Sequence, residues 1–273
     1  MVVIIMAITL KANDLKNLLE MTQRKQTVAG KTNPQVMACV LRYEEGVVST
    51  TSLVRDGKTS VSRFTIPAEK GEGHIVIPDI DRMLGVLKAH SGSVTLTSTN
   101  NTTKIKSAKK QTTLTANAGA LAFPHSAETI GEWEDMSRQL MEKVSIGGSY
   151  QMRDGSELTY MAMMTVDSSE LSEALSCDNI NGQKLNRYTF TANDDMILTV
   201  GDPLKGQTEI NLGEYQGDGD WNTSFEGGLE NVVSNMSGEI TLYFLDFRKH
   251  NQGIRMILTD GTSHLMQAGV IDG

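Results

Sequence analysis

The side chains able to do chemistry are few and widely spaced. His74, His90, His125, His250 and His264 form no pair at helical metal spacing. Cys39 and Cys177 stand far apart with no metal-ligand pattern around them. No G-x-S-x-G elbow and no phosphate-cradling glycine loop occurs. Gly217–Asp220 reads GDGD, but the rest of a calcium loop does not follow, so an acidic turn is the better reading. Gly71–His74, GEGH, reads as a turn before a strand. The sequence therefore predicts no enzyme, no metal and no cofactor. Basic residues do gather. Lys104, Lys106, Lys109 and Lys110 form one cluster, and Arg248 and Lys249 form a second. Lys11, Lys16, Arg24, Lys25, Arg82 and Lys88 fall in or beside candidate helices. Such cations can hold phosphates without reading bases.

The net charge of −8 over 273 residues excludes a protein that is basic all over. It leaves room for basic groups confined to one concave surface. Hydrophobic residues make up 39% and charged residues 21%, the balance of a soluble globular chain. The opening MVVIIM is only six residues long and has no basic lead, so neither a signal peptide nor a membrane span is expected. Two incidental buried thiols suit a cytoplasmic protein.

The elements that must position these cations are written twice. MLGVLKAHSGSVTL (Met83–Leu96) aligns without a gap on LENVVSNMSGEITL (Leu229–Leu242) at an offset of 146. ITLKANDLKNLLEM (Ile8–Met21) aligns on MTVDSSELSEALSC (Met164–Cys177) at an offset of 156. The first pair reads as helix, turn and strand. The second reads as strand, cap and amphipathic helix, with Asn13 and Ser168 or Ser169 as N-caps. A weaker echo relates DLKNLL (Asp14–Leu19) to DIDRML (Asp79–Leu84). Four related strand–helix–strand units follow, arranged as two copies of two.

Between the helices run strand-like segments with turn signals at Glu45-Gly46, Asn100-Asn101, Lys109-Lys110 and Asn193–Asp195. The expected class is α+β. Two pseudo-symmetric domains each carry two short helices packed on antiparallel sheet. The pattern lapses over residues 123–156, where Met136, Leu140 and Val144 make a short helical stripe. This segment reads as a connection between an N-terminal domain at 1–122 and a C-terminal domain at 157–273.

A chain of this plan resembles the DNA sliding clamps, the polymerase processivity factors that include proliferating cell nuclear antigen and the clamps of tailed phages. The residues that carry the likeness are HIVIPDIDRMLGVLKAHSGSVTLTSTNNTTKIKSAKKQTTLTA in the first domain. In the second they are INLGEYQGDGDWNTSFEGGLENVVSNMSGEITLYF and then GIRMIL. LGEYQG before the last helix looks most like the tailed-phage branch. The resemblance implies a DNA-clamp fold and a viral replication protein acting in the host cytoplasm. It implies a closed ring of six domains, hence a homotrimer of a two-domain chain. Helices would line the hole, sheets would form the rim, and edge strands would pair across subunits. The ring would encircle double-stranded DNA without sequence preference. It would tether the replicative DNA polymerase and be opened by a clamp loader, with no catalysis and no membrane.

The resemblance assigns the DNA-facing role to Lys11, Lys16, Arg24, Lys25, Arg82, Lys88, Lys104, Lys106, Lys109 and Lys110. It assigns a groove for hydrophobic partner peptides to Leu140, Val144, Ile146, Met266, Val270 and Ile271. Trp133 fits either a partner anchor or loop packing. The charges do not follow the repeat. Residues 13–25 sum to +1 and residues 79–90 to zero, whereas residues 168–181 sum to −3 and residues 226–236 to −2. A duplicated β-rich structural or carbohydrate-binding protein is the rival reading. A hydrolase with an acidic site is a weaker third.

Overall fold

The computed structural model describes residues 6–28, 31–54, 60–99, 102–115, 142, 146–151, 155, 157–177, 179–180, 183–184, 187–202, 204, 206–217, 219–248 and 253–270. The chain divides into two compact units. Unit 1 comprises Met1–Gln23, Gln35–Ser52 and Arg63–Trp133, and unit 2 comprises Arg24–Pro34, Leu53–Ser62 and Glu134–Gly273.

In unit 1 the strand Met6–Lys11 runs straight into helix α1 (Ala12–Gln23). It sits inside an antiparallel sheet whose order is Gln111–Thr115, Thr102–Lys106, Ser93–Thr99, Met6–Lys11, Lys70–Glu72. Cys39–Glu44 pairs with the start of Val47–Val54 and, on its other side, with His74–Ile77. The turn between the first two is the expected one. Glu45 and Gly46 both take positive φ, 47° and 86°, as a tight two-residue hairpin turn requires. Helix α2 (Ile80–Leu87) packs against α1. Alternation sorts the five-stranded sheet. Ile8, Leu96 and Ile105 lie in register and are fully buried. Ala7, Thr97 and Lys104 lie in register on the opposite face. The core of unit 1 is largely aliphatic, with Leu15, Leu18 and Leu19 of α1 and Met83 and Leu87 of α2 buried in it.

Unit 2 repeats the plan. The strand Glu157–Asp167 leads into helix α3 (Ser168–Ser176) and pairs with Glu239–Asp246, which continues to Ile254–Thr259 and His264–Ala268. A four-stranded sheet runs Gly206–Gly213, Met196–Asp202, Arg187–Ala192, Trp221–Glu226. Helix α4 (Leu229–Val233) packs on α3. Here the core is aromatic. Phe244 lies 5.3 Å from Phe190 and 4.8 Å from Trp221 between ring centroids.

The two sequence repeats meet at one joint in each unit. The amide of Ala12, the first residue of α1, donates to Gly92 O at 2.9 Å. The amide of Ser168, the first residue of α3, donates to Gly238 O at 2.8 Å. The joint recurs in the side chains as well. The Thr9 and Thr95 hydroxyls are 3.0 Å apart across one strand pair, and those of Thr165 and Thr241 are 3.4 Å apart across the other.

Two expectations change in detail, and the end of α1 has its own cause. Asn13 lies inside α1, so it is not the cap. Asp167 rather than Ser168 or Ser169 caps α3. Its backbone is still extended and its carboxylate accepts from the Ser169 amide at 2.8 Å, whereas Ser168 is already helical. That carboxyl is held below the usual carboxylate range by the Ser169 hydroxyl and amide. Finally, α1 stops at Gln23 because Arg24 takes a positive φ of 44°, which no helix continues through.

Candidate nucleic-acid interface

Helix α2 and the hairpin turn beyond it bring together the exposed cations Arg82, Lys88, Lys109 and Lys110 of unit 1. The N-terminus of α2 is capped by Asp79, which accepts from the Arg82 amide at 2.9 Å. Ile80, Met83, Leu84 and Leu87 turn inward at helical spacing. Asp81, Arg82, Gly85 and Lys88 are left on the exposed side. The next residues are Ala89 and His90, where the hairpin of residues 102–115 closes on the chain. Lys110 Nζ donates to Ala89 O at 2.9 Å. An ammonium at a helix C-terminus complements the helix dipole and the last free carbonyls. Lys109 and Lys110 are exposed in the turn between the two hairpin strands.

The ten cations do not form one surface. Arg82, Lys88, Lys109 and Lys110 gather along and just beyond α2, all exposed. Lys16 is exposed on α1, where it pairs with Glu20 at 3.7 Å. Lys11, Lys104 and Lys106 project from the solvent face of the five-stranded sheet, away from the core on which the helices pack. Sequence spacing had put Lys104 and Lys106 with Lys109 and Lys110, but strand alternation separates the faces. Lys25 is half-buried in the ribbon of Lys25–Val28 and Lys31–Pro34, and its carbonyl lies against Gly228, where any Cβ would come within 2.6 Å. Arg24 departs from the DNA-facing expectation. It is 2% exposed, with Nη1 donating to Ser60 Oγ at 2.6 Å. Burial pulls its pKa down to about 10.

Unit 2 presents a different surface at the equivalent helices. Neither α3 nor α4 carries a basic residue. Ser169, Glu170, Glu173 and Ser176 are exposed on α3, and Ser234 follows α4. A shallow cleft of about 440 Å³ between the two helices is lined by Ser168, Ser169, Ser172, Ser176, Ser234 and Glu173, with Val233 and Met236 beneath. The second basic cluster is neutralised where it can be seen. Arg248 donates to Asp246 through Nε at 3.0 Å and Nη2 at 2.9 Å, and Lys249 lies outside the described residues.

Of the expected peptide groove, Leu140, Val144 and Ile271 lie outside the described residues, as do Met136 and Trp133. Met266 is a core residue at 7% exposure, in register with Ile257, which differs from the groove-lining expectation. Its strand, His264–Ala268, is buried on both faces for nearly its whole length, so alternation leaves no outward row. Val270 is half-buried and its amide donates to Ser224 O at 2.7 Å. Ile146 is half-buried in a turn before the Ser149–Gln151 strand. Among the described residues no three His, Cys, Asp or Glu side chains gather as a metal site. No described helix is long and apolar enough to cross a membrane.

Sequence reasoning missed His90. It is buried at the joint between α2 and the hairpin, with Nδ1 3.0 Å from Ser107 Oγ and Nε2 3.1 Å from Thr112 Oγ1. The only sequence signal was its place two residues after Lys88 in the repeated helix–turn–strand stretch.

No protein-family profile and no curated protein matches the sequence. Solved structures do match. A chain of the complex "C-terminal region of FEN-1 bound to A. fulgidus PCNA" superposes with a TM-score of 0.61 at 12% identity, over 98% of this chain and 99% of that one. The DNA polymerase sliding clamp of Bacillus subtilis gives a TM-score of 0.62 at 14% identity, over 98% of this chain and 64% of that one. The DNA polymerase III beta subunit of Thermotoga maritima gives 0.60 at 15% identity, over 98% and 65%. The chain thus spans about the whole of the first and about two thirds of the other two. With its twice-written helix-on-sheet units, this chain has the fold of the DNA sliding clamps.

Proposed function

We propose that the protein is a sliding clamp that encircles duplex DNA and tethers a replicative polymerase, without chemistry of its own. The observation that carries the reading is the repeated joint. Ala12–Gly92 and Ser168–Gly238 build two equivalent helix-bearing units in one chain, over a length that matches the PCNA chain end to end. Three such chains arranged head to tail would close a ring of six units and leave no free sheet edge. The domain division at 1–122, 123–156 and 157–273 belongs to this proposal. So do the clamp loader as partner, a tailed-phage source and action in the cytoplasm of a host cell.

Within the ring the duplex would be held by Lys16, Arg82, Lys88, Lys109 and Lys110 of unit 1. Lys11, Lys104 and Lys106 would face the rim. A ring needs only weak, non-specific phosphate contacts, because topology supplies retention. A few exposed cations on one unit satisfy that need within a chain of net charge −8. By analogy with the FEN-1 complex, a hydrophobic partner peptide would dock beside the connection and the C-terminal strand, near Ile146 and Val270.

Light scattering on the full chain tests the assembly. A mass of three times 29.8 kDa across a hundredfold dilution, with a central hole in negative-stain images, is the expected result. A monomer at every concentration would overturn it. On loaded DNA, retention on nicked circles but loss from the same molecule after linearisation separates encirclement from ordinary binding.

A further inference from the structure

Ser107 and Thr112 flank the turn that carries Lys109 and Lys110, and both hydroxyls close on one buried imidazole. His90 lies three residues past Leu87, the last residue of α2, and its amide donates to Leu87 O at 3.0 Å, so a ring anchored there ties the turn to the end of the helix. A neutral imidazole offers one donor and one acceptor, and a hydroxyl can meet either, so both nitrogens are satisfied in either tautomer. Around this bond pair the turn is closed by Ser107 N donating to Lys110 O at 2.9 Å. Lys110 Nζ then reaches back to Ala89 O at 2.9 Å, the residue next to His90. The inner strand of the hairpin is pinned as well, by Thr103 Oγ1 donating to Val76 O at 2.9 Å. The turn is thus fixed at both ends and in the middle, although it is exposed and rich in lysine.

Lys110 is positioned by this bond and not quenched by it. An ammonium has three donors, and one goes to Ala89 O. Lys88, Lys109 and Lys110 have no carboxylate partner among the described residues. The equivalent turn of unit 2, between Ile254–Thr259 and His264–Ala268, is the contrast: it reads Asp260-Gly261-Thr262-Ser263 and carries no cation.

We infer that His90 is a positioning residue: it locks the Ser107–Thr112 turn onto the end of α2, so that Lys88, Lys109 and Lys110 stand as one preorganised phosphate-contact cluster. This rests on the reading of the chain as a clamp on duplex DNA. A mobile lysine turn would have to lose side-chain and backbone freedom on each phosphate contact. A latched one has lost it on folding, so the contact keeps more of its attraction.

The test uses the full chain, a 30-base-pair duplex and a salt titration, with hydrogen exchange on the same samples. Lys109→Ala/Lys110→Ala should weaken binding and lower the salt slope by about two. His90→Gln and His90→Ala keep every lysine. His90→Ala should weaken binding several-fold, about the value of one or two lost hydrogen bonds, and speed exchange of the 107–112 amides. His90→Gln, which can still bond one hydroxyl, should recover part of both. Ser107→Ala/Thr112→Val removes the latch while leaving the imidazole packed, and it should repeat the His90→Ala result if that variant folds poorly. Lysine variants that weaken binding, with latch variants that change neither binding nor exchange, would overturn the latch and leave the clamp reading intact. Lysine variants that bind as the parent does would overturn the phosphate role of this cluster, and with it the inference.

Discussion

The amide of Ser168 donates to Gly238 O at 2.8 Å, and 156 residues earlier in the chain the amide of Ala12 makes the same bond to Gly92 O at 2.9 Å. Each bond joins the first residue of one helix to the turn that follows the other helix of the same unit. The two sequence repeats have different offsets, yet the bond is kept, so the ten extra residues of the first copy lie outside the joint.

Both acceptor glycines take positive φ, 70° at Gly92 and 78° at Gly238, and a Cβ at either would meet nothing within 4 Å. Alanine there should therefore cost backbone strain alone. Gly92→Ala and Gly238→Ala are each expected to lose about 1–2 kcal/mol in urea melts. Similar losses at the two sites would support equivalent joints, and no loss at one of them would break the equivalence.

The Asp246–Arg248 pair is bidentate but exposed, with the arginine side chain 56% accessible. Asp246 is also what keeps Arg248 from acting as a free cation. Asp246→Asn should change stability by no more than about 1 kcal/mol. In the same variant, the salt slope of duplex binding should steepen by about one, as Arg248 becomes available to phosphate. An unchanged slope would mean that this hairpin does not reach the duplex.

Arg24 carries a cost that can be titrated. Its Nε and Nη2 are buried without partners, and burial pulls its pKa from the ordinary arginine value down to about 10. Between those values the unfolded chain holds more protons, so stability rises with pH from about 10 upward. Below about 10 the desolvation cost is present in full. Arg24→Met should therefore stabilise the protein at pH 7 by about 1–3 kcal/mol, with the gain shrinking above pH 10. The same left-handed backbone is imposed on both side chains, so strain cancels. A lower midpoint for Arg24→Met at pH 7 would show that the Ser60 bond outweighs the desolvation.

The two thiols should separate cleanly by reactivity. Cys39 is buried, and that burial pushes its pKa up to about 12. Cys177 is half-exposed at the end of α3. A thiol reagent should find one fast equivalent in the native protein and the second only after denaturation. Cys177→Ser should abolish the fast phase; a fast phase that survives would place Cys39 within solvent reach.

Much of this architecture was legible in the chain. Hydrophobic periodicity located helices α1 to α4, and Glu45-Gly46 and Asn193–Asp195 marked hairpins that formed where expected. The repeat of Ser-Gly after Lys88 and after Ser234 anticipated equivalent turns, because only a residue that tolerates positive φ can close them. The site was less legible. Lys104 and Lys110 are six residues apart, yet strand alternation sends one to the sheet face and the turn brings the other to Ala89. Arg24 has the composition of a surface cation and is buried.

The sequence by itself determined the duplication, the α+β class and the charge imbalance between the copies, since these follow from local periodicity and residue counts. Only the tertiary structure decided which cations share a surface and which are spent. Lys110 reaches the end of α2, Arg248 is closed on Asp246, and His90 binds two hydroxyls from a hairpin 17 and 22 residues away. Such choices depend on strand register and chain return, which bring together groups that no local pattern relates.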